Sequence, residues 1–427
     1  MPVAGPPVAE GAVACTGDRI AEVGPAGALA ERFPGAPTDD LGDAILVPGL
    51  VDAHCHLEWS LLEGLLPRAR FGAWLGRFLR LRARVPFELH RIAARHGALR
   101  ALRAGTTTLA DSGPTGAGAA AMSEVGVRGA AHLEAFGTPE GGETRRAAAE
   151  VGDRIAALDA EAGPGVRVGL SPHAPYTVGP AFWRALAGEP AVADRPWATH
   201  LAESEDEDLV VASGEGPLAE AFAAVSFSPG RWDGADGETI VRRVARAGAL
   251  REGLVAAHCV RLGEDDPATL RAAGVRIAHC PRSNEYLLTG RAPLAALRGA
   301  GLAVGLGTDS PASGGDYDVR AEARACARVH DEPMAAGELL RMATLGGAEA
   351  LGLDDEVGSL EPGKRADLVA LRPAAAADDP AEAALAAATS VDVVVAGGEV
   401  LVSGGRPRVA DADAIDARAR EARERLW

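Results

Sequence analysis

The first segment of the 427-residue chain that could do chemistry is His54-Cys55-His56. In an extended strand side chains alternate, so the two imidazoles share one face and Cys55 lies on the other. Two neutral imidazoles on one face suit Zn2+ or another divalent ion of the first transition row. His200, in His200-Leu201-Ala202-Glu203, and Asp309, in Gly307-Thr308-Asp309, would complete a set of three histidines and one carboxylate with a position left for water. Glu203 lies just past His200, where a carboxylate can face a substrate as proton donor and acceptor. The acidic run at 204–208 reads instead as the solvated start of a helix, whose positive dipole end favours acids. His258 is placed to hydrogen-bond water on the ion. Taken singly, each histidine reads better as a packed core residue than as a ligand, and what points to chemistry is the pattern that positions them together.

That positioning is legible from residue 50 onward, where short β-prone apolar runs alternate with longer Ala/Arg/Glu/Leu-rich stretches, the pattern of βα units around a parallel sheet. Eight such runs, at 46–54, 106–111, 127–134, 166–173, 197–200, 254–258, 275–279 and 303–309, end at or beside His54, Asp111, Glu134, His173, His200, His258, His279 and Asp309 in turn. In an eightfold barrel the C-terminal strand ends converge on one mouth, which gathers these groups in space. Burying them together is unfavourable unless a metal or a paired network compensates. The flanks read differently. Residues 1–49 carry short strands at 12–16, 19–23 and 42–47, and strands resume at 358–360, 366–371, 391–396 and 399–402, with a loop or short helix at 373–388 and a charged helix at 410–427. The expected architecture is therefore α/β: a (β/α)8 TIM barrel at 50–355 and a small composite β-sandwich built from 1–49 and 356–427.

Composition narrows the partners. Sixty acidic against 43 basic residues give a net charge of -17, which disfavours nucleic acid and anionic lipid surfaces. The five cysteines form no CxxC pair, the first sixteen residues lack the features of a signal peptide, and no apolar run is long enough to span a bilayer, so a reduced, cytoplasmic protein with no membrane partner is expected.

Taken in order, the motifs resemble the amidohydrolase superfamily over essentially the whole chain. They are Pro48-Gly49-Leu50-Val51-Asp52-Ala53-His54-Cys55-His56, Gly105-Thr106-Thr107-Thr108, Ser171-Pro172-His173-Ala174-Pro175-Tyr176, His200-Leu201-Ala202-Glu203, His258, His279-Cys280-Pro281-Arg282-Ser283-Asn284, Gly307-Thr308-Asp309 and 358–368. The branch they resemble holds adenine-type, guanine and s-triazine deaminases and chlorohydrolases. The resemblance implies one divalent ion per chain, Zn2+ first and Fe2+ as the alternative, on His54, His56, His200 and Asp309, with Glu203, His258 and Asp309 catalytic, and a homo-oligomer, a dimer. Binuclear members bridge two ions through a carboxylated lysine on the fourth strand. Lys364, the only lysine, lies in the terminal segment, so that bridge is excluded. The H-x-E and P-C-x-x-C deaminase signature has no match either.

Within the branch, His54-Cys55-His56-Leu57-Glu58-Trp59-Ser60 followed by Phe71-Gly72-Ala73-Trp74-Leu75 is similar to the aminodeoxyfutalosine deaminases of menaquinone biosynthesis. The implied reaction converts 6-amino-6-deoxyfutalosine, a small nucleoside, to futalosine and ammonia. Water activated at the ion adds to C6, Glu203 protonates N1, and His258 and Asp309 take up the water proton. For the substrate, Glu58 is expected to accept from ribose hydroxyls, Trp59 or Trp74 to stack on a ring, and His173 and Asn284 to make further contacts. Its benzoate requires a cation, with Arg68, Arg70, Arg145, Arg146 and Arg282 as candidates. Deaminases of adenosine, methylthioadenosine, S-adenosylhomocysteine or guanine share the remaining motifs and stay open. An s-triazine chlorohydrolase stays open too, although the retained Glu203 argues against it.

Overall fold

The computed structural model describes residues 1–375 and 377–426. Fifteen strands run along the described chain: β1 (Gly11–Thr16), β2 (Arg19–Pro25), β3 (Ile45–Pro48), β4 (Leu50–Cys55), β5 (Thr106–Gly113), β6 (Arg128–Ala135), β7 (Val166–Pro172), β8 (Ala198–Leu201), β9 (Val255–His258), β10 (Arg276–His279), β11 (Val304–Leu306), β12 (Leu368–Arg372), β13 (Ser390–Ala396), β14 (Glu399–Ser403) and β15 (Arg406–Pro407). Strands β4 to β7 and β8 to β11 form two parallel four-stranded sheets. Backbone bridges Leu170 to Trp197 and Cys55 to Asp309 join their edges, so eight strands close into a barrel. Helices wrap the outside, which buries these strands on both faces; every residue of β4 and β5 is buried. Inside, Ala53, Ala198, Val255, Ala257 and Ala278 fill the narrow bore with small side chains.

The two chain ends meet outside the barrel. β3 pairs antiparallel with β12, and the sheet continues β13, β14, β15, while the β1–β2 hairpin lies against it through Val13, Ile20, Val23, Leu46, Ala366 and Leu368. The helix Ala412–Leu426 returns to the barrel helix Phe87–Arg103, where Arg103 makes a two-pronged ion pair with Asp416.

The run expected as one strand at 46–54 is two. β3 belongs to the terminal sheet and β4 to the barrel, separated at Pro48-Gly49. A side chain at position 49 would lie 2.0 Å from Thr107 Oγ1, so only glycine lets the chain pass from one sheet to the other there. No strand forms at 358–360, a helix forms at Ala26–Arg32, and the 373–388 segment contains the helix Pro380–Leu385; Ala376 and Trp427 lie outside the described residues. Among the described residues no helix is long and apolar enough to cross a membrane.

The loop after β4 carries the elements that roof the barrel mouth: a 3-10 turn, Leu57–Leu62, and the helix Phe71–Arg82. Gly72 lets that helix press on the helix Pro217–Ala223, since an added Cβ would sit 2.6 Å from Pro217, and its N–H donates to Asp206 at 2.8 Å.

Candidate active site

β4 carries His54, His56 follows it directly, β8 carries His200, and the chain leaving β11 carries Asp309; one donor atom from each lies within 4.8 Å of the others, and all four residues are buried. Backbone bonds lock the arrangement, with His56 N donating to Asp309 O at 3.0 Å and Asp309 N to His54 O at 2.9 Å. His56 Nδ1 donates to Ser112 O and His200 Nδ1 to His173 O, each at 2.7 Å. Carbonyl oxygens only accept, so both rings carry a proton on Nδ1 and turn Nε2 toward the cluster as the atom available to an ion. Those two atoms face one another at 3.1 Å, and the buried His54 Nε2 has no hydrogen-bond partner among the described residues. Three nitrogen lone pairs beside a carboxylate repel until a cation is placed among them, and the donor set fits a divalent ion.

Electrostatics agree with that fit. Burial and the neighbouring imidazoles hold His54 well below its ordinary value and push His200 down to about 3. Burial also lowers His56, but Asp309 and Glu134 overcome it and raise the ring to about 9, so without an ion it holds a second proton on Nε2, facing Asp309, which a bound cation displaces. Burial alone would raise Asp309, yet His56, His258 and His54 outweigh it and hold the carboxyl well below the usual range. Ser283 Oγ and, at 2.9 Å, Ser313 Oγ donate to Asp309 Oδ2, leaving Oδ1 toward His56 at 3.3 Å.

Two groups of opposite proton affinity stand beside this cluster. Glu203 follows a turn at Ala202 with φ +53 and its N–H donates to Glu207 Oε2 at 2.6 Å. Burial first, then the charges of Asp309 and Glu207, raise Glu203 well above the usual carboxyl range, which favours its protonated form. His258 Nδ1 meets Asn284 Oδ1 at 2.9 Å, which fixes the proton on Nδ1 and leaves Nε2 as an acceptor 3.6 Å from Glu203 Oε1. Burial lowers His258 from its ordinary value. Titratable groups pushed apart in this way mark an acid and a base. Ala202, His258, Cys259 and Asp309 all have positive φ, so left-handed strain gathers at the ends of β8, β9 and β11.

A cavity of about 540 Å3 opens over these groups. Of the residues expected at the substrate, Trp59, Trp74 and His173 line it. Two others do not. Glu58 is turned inward by the 3-10 turn: its Oε1 accepts from the N–H groups of Thr115, Gly116 and Ala117 at 3.2, 3.0 and 3.2 Å, and Oε2 lies 2.8 Å from His90 Nδ1. Asn284 stands behind His258 and acts on it, not on the cavity. None of the five arginines considered from sequence reaches the cavity either; Arg282, for example, is held by Asp316 and Glu322. The cation present is Arg82, its guanidinium 5.0 Å from the ring centre of Phe136 and 5.8 Å from that of Trp59, with no ion pair among the described residues. Its signal was in the sequence, since positions 71, 74, 75, 78 and 82 fall on one helical face. Glu134 also lines the cavity, its buried Oε1 unpartnered and 4.0 Å from His173 Nε2. Lys364 is bound to Ser359 and Glu361, away from the cluster.

Against known proteins, the amidohydrolase family model matches residues 45–401, and an imidazolonepropionase-like bacterial composite domain matches 11–36. The chain belongs to the amidohydrolase family and is a hydrolase acting on carbon–nitrogen bonds. It is 32% identical over 434 residues to a 5-methylthioadenosine/S-adenosylhomocysteine deaminase of Moorella thermoacetica, covering 98% of this chain and 95% of the relative. A protein of the same name from Pelotomaculum thermopropionicum is 34% identical over 369 residues, 84% of this chain and 79% of the relative. Among solved structures, an adenosine deaminase from Xanthomonas campestris with bound zinc superposes with a TM-score of 0.81 at 28% identity, covering 98% of this chain and 94% of that one. Atrazine chlorohydrolase from Arthrobacter aurescens, complexed with zinc, superposes at 0.79 and 26% identity, covering 96% and 94%.

Proposed function

We propose that the chain is a zinc-dependent cytoplasmic deaminase that hydrolyses the 6-amino group of 6-amino-6-deoxyfutalosine, a step of menaquinone biosynthesis. The deaminase relatives and the pairing of a protonated Glu203 with a bare His258 Nε2 support the reaction type. His54, His56, His200 and Asp309 would hold the ion, which would supply the Lewis acidity that makes water nucleophilic at neutral pH. Glu203 gives its proton to N1 of the purine as C6 is attacked. His258, with Asp309 beside it, takes the proton lost by the attacking water and returns it to the exocyclic amine, which departs as ammonia. The new hydroxyl proton goes back to Glu203, leaving the 6-keto ring. Each such transfer is worth typically about 10²–10⁴-fold.

The observation that carries the substrate is the cavity wall. Trp59, Phe71, Trp74, Phe78, Phe136 and Tyr176 make it aromatic, and Arg82 is the unpaired cation upon it. A carboxyphenyl group on the sugar matches one aromatic surface and one cation. A methylthio group would bring Arg82 no anion beyond the nearby Glu134 carboxyl, and an amino-acid tail would bring an ammonium as well as a carboxylate. Glu134, with its free buried oxygen, takes the ribose-hydroxyl role expected of Glu58. The identity to methylthioadenosine/S-adenosylhomocysteine deaminases favours those two nucleosides as the second reading. Zinc-loaded protein incubated with each nucleoside in turn tests the choice. Equimolar ammonia and futalosine from the first substrate are expected; ammonia from methylthioadenosine or S-adenosylhomocysteine alone would shift the assignment to them.

A further inference from the structure

We propose that His279, Cys326 and His330 form a second divalent-metal site, of the zinc class, on the outer side of the barrel. It shares no residue with the ligand set described above, and it stands whether or not the substrate reading holds.

His279 is the last residue of β10. Its neighbour Ala278 belongs to the cluster that fills the barrel bore, so alternation along the strand turns His279 outward, toward the helix Val319–Val329. Cys326 lies on that helix and His330 caps its C-terminus, four residues on, a spacing that stacks two side chains on one helical face. One donor atom from each of the three residues lies within 4.8 Å of the others. His279 Nε2 and His330 Nε2 face each other at 3.0 Å and can share at most one proton between them.

Among the described residues nothing else nearby satisfies the cluster. The Cys326 thiol is buried, and among the described residues its one hydrogen-bond neighbour is Met334 Sδ at 3.9 Å. A sulfur and two imidazoles, with no oxygen donor in the set, select Zn2+ or a similar borderline ion over Mg2+ or Ca2+. The thiol would bind as thiolate, its proton released to solvent. Access is provided by a groove of about 790 Å3 that His279 lines. Three guanidiniums line that groove: Arg291 is paired with Asp331 and Arg328 with Glu285, while Arg68 donates to the Glu285 carbonyl. An ion here would tie β10 to the helix Val319–Val329, next to the turn whose Ser283 and Asn284 hold Asp309 and His258. Its effect is structural, and turnover does not require it.

Cobalt gives a selective readout, because the deaminase ligand set holds no thiolate. Full-length protein stripped of metal and reloaded with Co2+ should show thiolate-to-cobalt charge-transfer absorption in the near ultraviolet. Zinc analysis at saturation should give about two ions per chain, falling to about one in Cys326→Ala and in the half-exposed His330→Gln, both of which keep deaminase activity within about twofold. Loss of the absorption in either variant supports the site. About one zinc per chain in the wild type with no charge-transfer band, or a band that survives both substitutions, would overturn it. Loss of the His200 ion in His200→Ala leaves the band in place, so failure of the catalytic assignment and failure of this one are read separately.

Discussion

Replacing Arg82 with methionine keeps most of the side-chain volume over Trp59 and Phe136 and removes the only guanidinium that lines the cavity among the described residues. A hydrogen bond to a charged group is worth about 1.5–3 kcal/mol, which at about 1.36 kcal/mol per decade is roughly 10- to 150-fold in kcat/KM. Arg82 is half-buried and therefore partly screened, so the lower part of that range, roughly 10- to 30-fold, is expected for 6-amino-6-deoxyfutalosine. Methylthioadenosine, which carries no anion, should lose less than about threefold. Arg82→Lys retains the charge but not the planar fork and should fall between. The assay is ammonia release at several concentrations of each nucleoside at one pH. Equal losses on both nucleosides, or no loss on the carboxylate-bearing one, would refute the assignment of Arg82 to the substrate anion.

Glu203→Gln preserves shape and should keep the metal while losing at least roughly two orders of magnitude in turnover; near wild-type deamination would exclude Glu203 as the proton donor. His200→Ala should lose the catalytic ion itself, read by elemental analysis of that variant beside the wild type. The pH dependence of kcat/KM should be bell-shaped. His258 must be deprotonated, so activity rises through a value below 6.5, and Glu203 must be protonated, so activity falls through a value well above 4.5. An acid limb centred above 6.5 would contradict the buried, lowered His258. Asn284→Ala frees the proton position of His258 and should lower kcat roughly 10-fold with KM nearly unchanged; an effect confined to KM would mean that Asn284 touches substrate after all.

The groups at the strand ends were readable because a barrel turns sequence order into spatial convergence: His54, His56, His200, His258 and Asp309 meet as their places after successive strands require. What the sequence could not convey was the direction of side chains in the loops. Glu58 lies two residues past the ligand His56 and its position in sequence aims it at the mouth, but the turn Leu57–Leu62 points it at three backbone N–H groups and His90. Asn284 follows the seventh barrel strand as expected, yet the helix Pro281–Tyr286 sets it behind His258. Arg82 was missed for a different reason. It ends an arginine-rich helix in which Arg77, Arg80 and Arg82 look alike, and only the periodicity shared with Phe71, Trp74, Leu75 and Phe78 sets it apart. The break between β3 and β4 was hidden inside a continuous apolar run, and Pro48-Gly49 is its one local sign.

The most direct test of the central claim is the ratio of kcat/KM for 6-amino-6-deoxyfutalosine to that for methylthioadenosine and for S-adenosylhomocysteine, measured on zinc-loaded wild-type protein at one pH. A preference of at least about tenfold for the first over both others is expected from one charged contact. A ratio near one, or a preference for either of the other two, would contradict it.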